Sequence, residues 1–181
     1  MQEFRFDKAF EDQVLRTPNA IALRSPEGTI TYADLDIKAN QVAHHLRAAG
    51  IPAEAFVGLY LERSIDAVAA TLGILKADAA VVPLPPSWPA DRVAEVLKFA
   101  DLDAVIDTDS TPLTAETGSP VLRLADAFRG IASAPTKVLD SDRPAFVICS
   151  SGSTGTPKMI VRSHGSFYHR LQWTWKEHPF T

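Results

Sequence analysis

The sequence has little of what marks secreted, membrane-spanning or nucleic-acid-binding proteins. A single cysteine, Cys149, excludes an internal disulfide and favours a reducing compartment. The net charge is −4 and no basic run or face stands out, so nucleic acid is not an expected partner. The first residues are charged and lack the apolar core of a signal peptide. These features together predict a cytoplasmic protein.

Long apolar runs are also missing. The most apolar stretch, residues 67–84, is interrupted by Lys76 and Asp78 and contains Gly73 and Pro83. It is too short and too broken to cross a bilayer, so no membrane partner is expected. The amino-acid composition is that of an ordinary globular protein, since 46% of the 181 residues are hydrophobic and 22% are charged. That length is enough for one core, or for part of a larger one.

Strand-like and helix-like segments alternate along the chain. Apolar residues at helical spacing near the N-terminus end before Pro18. Thr31 and Ser64 each precede a further apolar pattern of this kind, at the position expected of a helix N-cap. Residues 108–120 are typical of a surface loop, and 126–142 show no clear pattern. The alternation predicts an α/β fold with a mostly parallel sheet flanked by helices. We expect a hairpin at 20–32 and strands at 56–61, 79–84, 103–107, 121–124, 145–150 and 159–162. Helices are expected from residue 6 to Thr17-Pro18, from the Thr31 cap to Gly50, and at 65–76 and 90–100, with a last one from about Ser166.

One run near the C-terminal end carries the strongest functional signal: Val147-Ile-Cys-Ser-Ser-Gly-Ser-Thr-Gly-Thr-Pro-Lys158. It is typical of a buried strand that enters a hydroxyl- and glycine-rich loop ending on a lysine. Backbone N–H groups in such a loop can form an anion-binding concavity, to which hydroxyls and a cation add further donors. Gly152 and Gly155 permit positive φ angles and a close approach of the backbone to a ligand. The pattern predicts a nucleotide polyphosphate as the ligand.

Two common nucleotide-binding motifs do not fit this run. A Walker A loop has four residues between its glycines and a Ser or Thr after the lysine, whereas Gly152 and Gly155 are two residues apart and Met159 follows Lys158. A dinucleotide-binding fingerprint is absent as well, because no Gly-x-Gly-x-x-Gly opens a helix.

The run resembles the phosphate-loop signature of the adenylate-forming enzymes, which include acyl-CoA synthetases, luciferases and nonribosomal peptide synthetase adenylation domains. That signature is similar to TSGSTGxPK, and residues 150–158 differ only in having Ser150 for the first threonine. Upstream, residues 30–35 resemble the early LTYxEL motif, and residues 75–89 resemble LKAGxAYVPLDPxYP, followed by a matching Asp91-Arg92. The three motifs occur in the family's order over roughly residues 7–170, nearest to the peptide synthetase adenylation domains.

The resemblance implies that residues 1–181 form an incomplete N-terminal portion of an AMP-binding (adenylation) domain, a partial N-terminal subdomain of that fold. The portion ends just after the phosphate loop and lacks the C-terminal lid domain. In this family the loop clamps the β- and γ-phosphates of Mg-ATP while a carboxylic or amino acid attacks the α-phosphorus, giving acyl-AMP and pyrophosphate. The acyl group then passes to the thiol of coenzyme A or of a carrier protein's phosphopantetheine. ATP and Mg²⁺ are thus the implied cofactors, although most Mg²⁺ ligands would lie beyond this chain.

By the same resemblance, the loop and one histidine would bind the nucleotide. Lys158 would help to position the phosphates, and His164, which follows the second strand, would shape the nucleotide or substrate side of the cleft. A solvent-facing or helix-capping His164 is the alternative. No catalytic residue is assigned, and no metal site is expected, since His164 and His169 have no suitably spaced carboxylate. The predicted binding residues are Ser150, Ser151, Gly152, Ser153, Thr154, Gly155, Thr156, Lys158 and His164.

Several positions depart from the family pattern or leave a choice open. Cys149 is expected to be a buried strand residue rather than a nucleophile, because no histidine partner is evident. The last helix is expected to place Phe167, Leu171, Trp173 and Trp175 on its apolar side. The departures from the pattern are Asp78 and Met159, each where glycine is usual, Pro85 in place of Asp, and Cys149 in place of an aromatic residue.

The isolated chain is expected to be catalytically incompetent, and aggregation-prone through an unpaired apolar sheet edge. Two other interpretations remain open. One is a non-catalytic nucleotide- or partner-binding module, completed by a second polypeptide. The other is a gene-model fragment without an independent role. The acid substrate and the acceptor thiol are not readable from these residues.

Overall fold

A computed structural model describes residues 4–151 and 157–178 of the protein. Helices and strands alternate through most of this part of the chain. The helices are α1 (Phe6–Arg16), α2 (Tyr32–Ala48), α3 (Ile65–Lys76), α4 (Ala90–Phe99), α5 (Leu124–Ala127) and α6 (His164–Glu177). The strands are β1 (Ile21–Ser25), β2 (Gly28–Thr31), β3 (Phe56–Leu59), β4 (Ala80–Pro83), β5 (Ala104–Asp107), β6 (Val121–Arg123), β7 (Pro144–Ser151) and β8 (Pro157–Ser163).

The main sheet has the strand order β6-β5-β3-β4-β7-β8, and β1 and β2 form a separate antiparallel hairpin. All neighbours in the main sheet are parallel except β7 and β8. Side chains alternate between the two faces of each strand. Val81 accordingly joins the core formed with α2 and α3, whereas Val82 joins the core formed with α4. The predicted mostly parallel sheet flanked by helices is confirmed.

Local sequence signals set the starts of three of the six described helices, α2, α3 and α6. Thr31 Oγ1 accepts a hydrogen bond from the Asp34 N–H at 3.1 Å, and Ser64 Oγ accepts one from the Ala67 N–H at 3.1 Å. Each bond satisfies one of the free N–H groups at a helix start. Helix α6 begins two residues earlier than predicted because Ser163, not a later residue, is its N-cap.

The central strands are shorter than the apolar runs that predicted them. Strand β3 ends at Leu59 and β4 at Pro83, although Tyr60 N–H still donates to Ile106 and Leu84 N–H to Leu59. Apolar residues beyond a strand end can remain buried without ladder pairing, so hydrophobicity overestimates strand length.

A buried ion network ties α1 to the rest of the fold. The carboxylate of Asp7 lies 3.0 Å from Arg5 Nε and 2.6 Å from Lys137 Nζ. Lys137 Nζ also lies 2.8 Å from Glu11, which in turn is 2.8 Å from Lys76 Nζ. Asp7 and Lys76 are fully buried, so these charges rely on one another for the stabilisation that water would give. Asp36 also pairs with Lys76 at 2.7 Å, and Asp78 pairs with Arg5. We call Arg5, Asp7, Glu11, Asp36, Lys76, Asp78 and Lys137 the N-terminal ion network.

Asp78 explains one departure from the family pattern. Its φ of +66° lies in the left-handed region, where glycine is least strained and aspartate is tolerated better than most residues. Its carboxylate is an ion-pair partner of Arg5, with Oδ1 2.8 Å from Nη1. The backbone position therefore suits the usual glycine, and this chain uses it to add a charge to the N-terminal ion network.

The outer strand β8 has Ile160 and Val161 almost half exposed. This is the kind of apolar edge that the sequence predicts. None of the described helices is long and apolar enough to pass through a membrane.

Substituting Gly73 with alanine is expected to lower the free energy of unfolding by about 1–3 kcal/mol, the range for overpacking a core. A Cβ at this position of α3 would lie 2.5 Å from Val42 Cβ and 2.8 Å from the backbone oxygen of Ala39 on α2. Because a backbone atom cannot yield without moving α2, this clash exceeds the gain in helix propensity. Urea unfolding measures the change. Gly118→Ala is the control, since no atom lies within 4 Å of its added Cβ, and an equal loss in both variants would contradict the expectation.

Candidate phosphate-binding site

The candidate site lies at the carboxyl ends of the parallel strands. Strand β4 is followed by α4 and then β5 on one side of it, whereas β7 leads to β8 on the opposite side. Where the connections of two adjacent parallel strands leave in opposite directions, a crevice forms beyond their carboxyl ends, and ligands of α/β proteins bind there. The hydroxyl- and glycine-rich run leaves β7 at this point.

The β7–β8 hairpin brings two of the predicted binding residues together. Ser150 is the cross-strand partner of Lys158, and Ser151 is that of Pro157. Ser150 Oγ lies 3.5 Å from the Lys158 carbonyl oxygen, and the Lys158 side chain is exposed. A hydroxyl and an ammonium group thus flank the base of the loop. The predicted ligands Gly152, Ser153, Thr154, Gly155 and Thr156, and the side chain of Ser151, lie outside the described residues.

The base of the hairpin contacts α4 through Arg92. Its Nη2 donates to the Cys149 carbonyl oxygen at 3.3 Å, and its guanidinium lies 5.7 Å from the Trp88 ring centroid. Arg92 Nη1 also lies 2.6 Å from Glu95 Oε2. The sequence marks Arg92 only as part of a family motif. Its contact with Cys149 could not be predicted, because the two residues are 57 positions apart in the chain.

Cys149 and Met159 face each other across the hairpin and pack against the core beneath α4. Burial raises the pKa of the Cys149 thiol, and the nearby Arg92 charge opposes that effect without cancelling it. A thiol whose pKa is raised is poorly suited to nucleophilic attack at neutral pH. Cys149 is a partly buried strand residue, and Met159 fills space that the usual glycine would leave.

His164 lies away from the other predicted binding residues. It follows the last residue of β8, at the end of the hairpin opposite to the loop, roughly 20 Å from Ser150 at about 3.4 Å per strand residue. Its Nδ1 accepts a hydrogen bond from the Phe6 N–H at 3.3 Å, and only 1% of its side chain is exposed. The solvent-facing alternative is therefore wrong, because His164 is buried and its hydrogen bond joins α1 to the start of α6. The role of His164 beside the nucleotide stays a prediction.

The surroundings of His164 keep its ring neutral. Burial, together with the positive charge of Arg5, lowers its pKa from the ordinary 6.5 to about 4, although Asp7 Oδ1 at 3.6 Å acts in the opposite direction. A neutral ring is what the Phe6 contact requires, since Nδ1 must carry a lone pair to accept that hydrogen bond.

Helix α6 buries fewer aromatic residues than predicted. Phe167 packs against Phe146 and Phe6, with ring centroids 4.6 and 5.4 Å apart. In contrast, Trp173 and Trp175 are 59% and 46% exposed. The prediction that both tryptophans join the apolar side of this helix is wrong for the described chain, because about half of each side chain remains exposed.

Among residues 4–151 and 157–178, no three His, Cys, Asp or Glu side chains are grouped so that they could hold a metal ion. The groups at the candidate site are the Ser150 hydroxyl and the Lys158 ammonium. An ammonium group binds anions rather than cations, so we assign Mg²⁺ to no described residue.

The sequence profile of the family described as AMP-binding enzyme matches residues 10–181. The chain belongs to this family. It is 40% identical over 176 residues to a linear gramicidin synthase polypeptide of Brevibacillus parabrevis, and 37% identical over 168 residues to the AMB antimetabolite synthetase AmbB of Pseudomonas aeruginosa. These alignments cover 92% and 91% of the chain, but only 2% and 13% of the two synthetases.

Solved structures agree with this membership. The chain superposes on the AMPPNP-bound nonribosomal peptide synthetase FmoA3 with a TM-score of 0.89 at 28% identity, covering 98% of this chain and 19% of that one. FmoA3 has also been solved with α-methyl-L-serine-AMP bound. The N-terminal subdomain of Klebsiella oxytoca NpsA gives a TM-score of 0.81 at 27% identity, covering 91% of this chain and 43% of that one. The chain therefore has the fold of part of such an N-terminal subdomain, and it spans less than half of the NpsA subdomain's length.

Proposed function

We propose that the β7–β8 hairpin holds the polyphosphate of ATP for a parent enzyme that activates an amino acid as its acyl-AMP. The observation that carries the proposal is the pairing of Ser150 with Lys158 at the carboxyl end of β7, the strand next to β4 in the sheet. Serine hydroxyls, loop N–H groups and a lysine ammonium all donate to phosphate oxygens. In the parent enzyme the acyl group would then pass to a pantetheine thiol on a carrier protein or on coenzyme A.

The choice of an amino acid rests on the relatives. One similar structure, FmoA3, has an aminoacyl adenylate bound, and the curated relatives include a linear gramicidin synthase. ATP supplies the phosphoric anhydride that is broken during activation. The part assigned to this chain is to bind and orient the departing polyphosphate, whose negative charge Lys158 partly neutralises.

Substituting Lys158 with alanine is expected to weaken the binding of AMPPNP to the full 181-residue chain about 10- to 100-fold. The variant loses one charge-assisted contact to phosphate, which is the scale of effect expected for such a contact. Isothermal titration calorimetry at low salt measures the dissociation constant. Lys98→Ala is the matched control, since Lys98 is an exposed lysine in the last turn of α4 and is not among the predicted binding residues. Equal affinities for the two variants would contradict the proposal.

ATP–pyrophosphate exchange on the same samples separates the proposed enzyme part from a non-catalytic module. We further propose that the 181 residues bind nucleotide without catalysing exchange, because they span less than half of the similar N-terminal subdomain. Carboxylate-dependent exchange by the purified chain would overturn this second statement. Nucleotide binding that Lys158→Ala leaves intact would instead favour a different site.

A further inference from the structure

The hydrogen bonding between β4 and β7, the strand that leads into the phosphate hairpin, stops where two prolines of β4 and its continuation lack the backbone N–H that would donate to β7. Strand β4 pairs with β7 in parallel through Val81 and Phe146. The N–H groups of Ala80 and Leu84 donate to β3, so the intervening odd-numbered positions direct their backbone nitrogens toward β7. The next two of these positions, Pro83 and Pro85, carry no N–H.

The register identifies which acceptor loses its donor. Backbone nitrogens of β4 donate to the residue that precedes their register partner on the next strand, as the bond from Ala80 N–H to the Ala55 carbonyl beside the Phe56–Ala80 pair shows. Continued to β7, the nitrogen of residue 85 would face the Cys149 carbonyl. That carbonyl is the one that accepts from Arg92 Nη2 at 3.3 Å.

We propose that Arg92 is a positioning residue that replaces the missing ladder donor of Pro85 and fixes the base of the phosphate hairpin. The Cys149 carbonyl and the Ser150 N–H belong to one peptide plane, so holding the carbonyl orients the peptide on which the first loop hydroxyl stands. The effect of Arg92 on phosphate binding rests on the proposed function of the hairpin. Its effect on the hairpin itself does not.

Arginine suits this role better than lysine. Its planar group carries several donors in a fixed arrangement, so it can bond the Cys149 carbonyl and Glu95 at once while lying against Trp88. The Arg92 side chain is 23% exposed, which leaves it partly shielded from competing water. A lysine ammonium at this position reaches only one of the two acceptors and has no planar group to lie against the Trp88 ring. Arg92→Lys therefore retains the positive charge but holds the Cys149 carbonyl less firmly.

The experiment compares the wild-type chain with Arg92→Ala, Arg92→Lys and the control Arg129→Ala. Arg129 also pairs with a carboxylate three residues away, that of Asp126, but its side chain is 79% exposed and its hydrogen bond is to that carboxylate and not to the hairpin. Amide hydrogen exchange by mass spectrometry follows residues 147–151 and 157–160, and calorimetry follows binding of AMPPNP. Exchange in peptides from β3 and β5 shows whether a variant destabilises the whole sheet and not only the hairpin.

Arg92→Ala is expected to speed exchange in the hairpin about tenfold and to weaken AMPPNP binding about tenfold, the scale of one charge-assisted hydrogen bond. Exchange in β3 and β5 stays unchanged, and Arg92→Lys gives intermediate values. Hairpin exchange equal to that of Arg129→Ala, or a rise shared by β3 and β5, would overturn the inference. If the wild type binds no AMPPNP while Arg92→Ala still loosens the hairpin, the proposed function fails and the positioning role stands.

Discussion

The Asp7→Asn variant is expected to lose about 3–5 kcal/mol of its free energy of unfolding, which is the range for removing one partner of a buried ion pair. Both Asp7 and Arg5 have fully buried side chains, and Lys137 is 9% exposed. An asparagine keeps the volume of the side chain but brings an amide N–H₂ toward two cations. Those cations would remain buried without the charge that offsets their loss of water.

The protonation of Asp7 supports this expectation. Burial raises its pKa, but Lys137 and Arg5 outweigh that effect, so the pKa lies below its ordinary value and the carboxylate is charged at neutral pH. The ion pair also joins distant parts of the chain, since Asp7 and Lys137 are 130 residues apart. Loss of the pair therefore weakens the attachment of α1 to the segment before β7, leaving the contact of Lys137 with Glu11.

Chemical unfolding monitored by circular dichroism measures the effect, with Asp12→Asn as the matched control. Asp12 is on the same helix and pairs with Lys8, but both side chains are well exposed. Such a surface pair contributes about 0–1 kcal/mol. If the two variants lose similar amounts of stability, the N-terminal ion network does not contribute the expected amount of about 3–5 kcal/mol to the free energy of unfolding.

Stability is expected to fall by about 3 kcal/mol between pH 7 and pH 4 through His164 alone, since its pKa drops from 6.5 to about 4 on folding. Above pH 6.5 the ring is neutral in both states, and the stability contributed by this group does not change with pH. Between the two pKa values the unfolded chain binds the proton and the folded chain does not, so each fall in pH favours unfolding. Below about pH 4 both states are protonated and the loss levels off.

The test compares unfolding free energies from pH 7 to pH 4 for the wild type, His164→Asn and His169→Asn. Asparagine at 164 retains an acceptor for the Phe6 N–H but cannot be protonated in this range, so the slope should become shallower. His169 is exposed on the same helix, and its variant should keep the wild-type slope. Parallel slopes for both variants would refute the assignment. Asp7 adds a further loss below pH 3.8, because its own pKa is lowered in the folded state.

Local signals allowed much of the fold to be predicted. The N-caps Thr31 and Ser64 and the apolar stripes they precede depend on residues three or four apart, and a short window contains all of that information. The phosphate hairpin is equally local, because Ser150 and Lys158 are joined by a short loop. The residues of 126–142 could not be assigned, since α5 is only four residues long and the rest is held by long-range contacts such as that of Lys137 with Asp7.

The sequence by itself determined the alternation of helices and strands, the position of the candidate phosphate loop and the resemblance to adenylate-forming enzymes. Only the tertiary structure decided that His164 is buried against α1, and that Arg92 reaches the Cys149 carbonyl. The physical reason is the same in both cases. An antiparallel hairpin carries residues that are close in sequence to opposite ends of a sheet, and strand order brings residues that are far apart in sequence into contact.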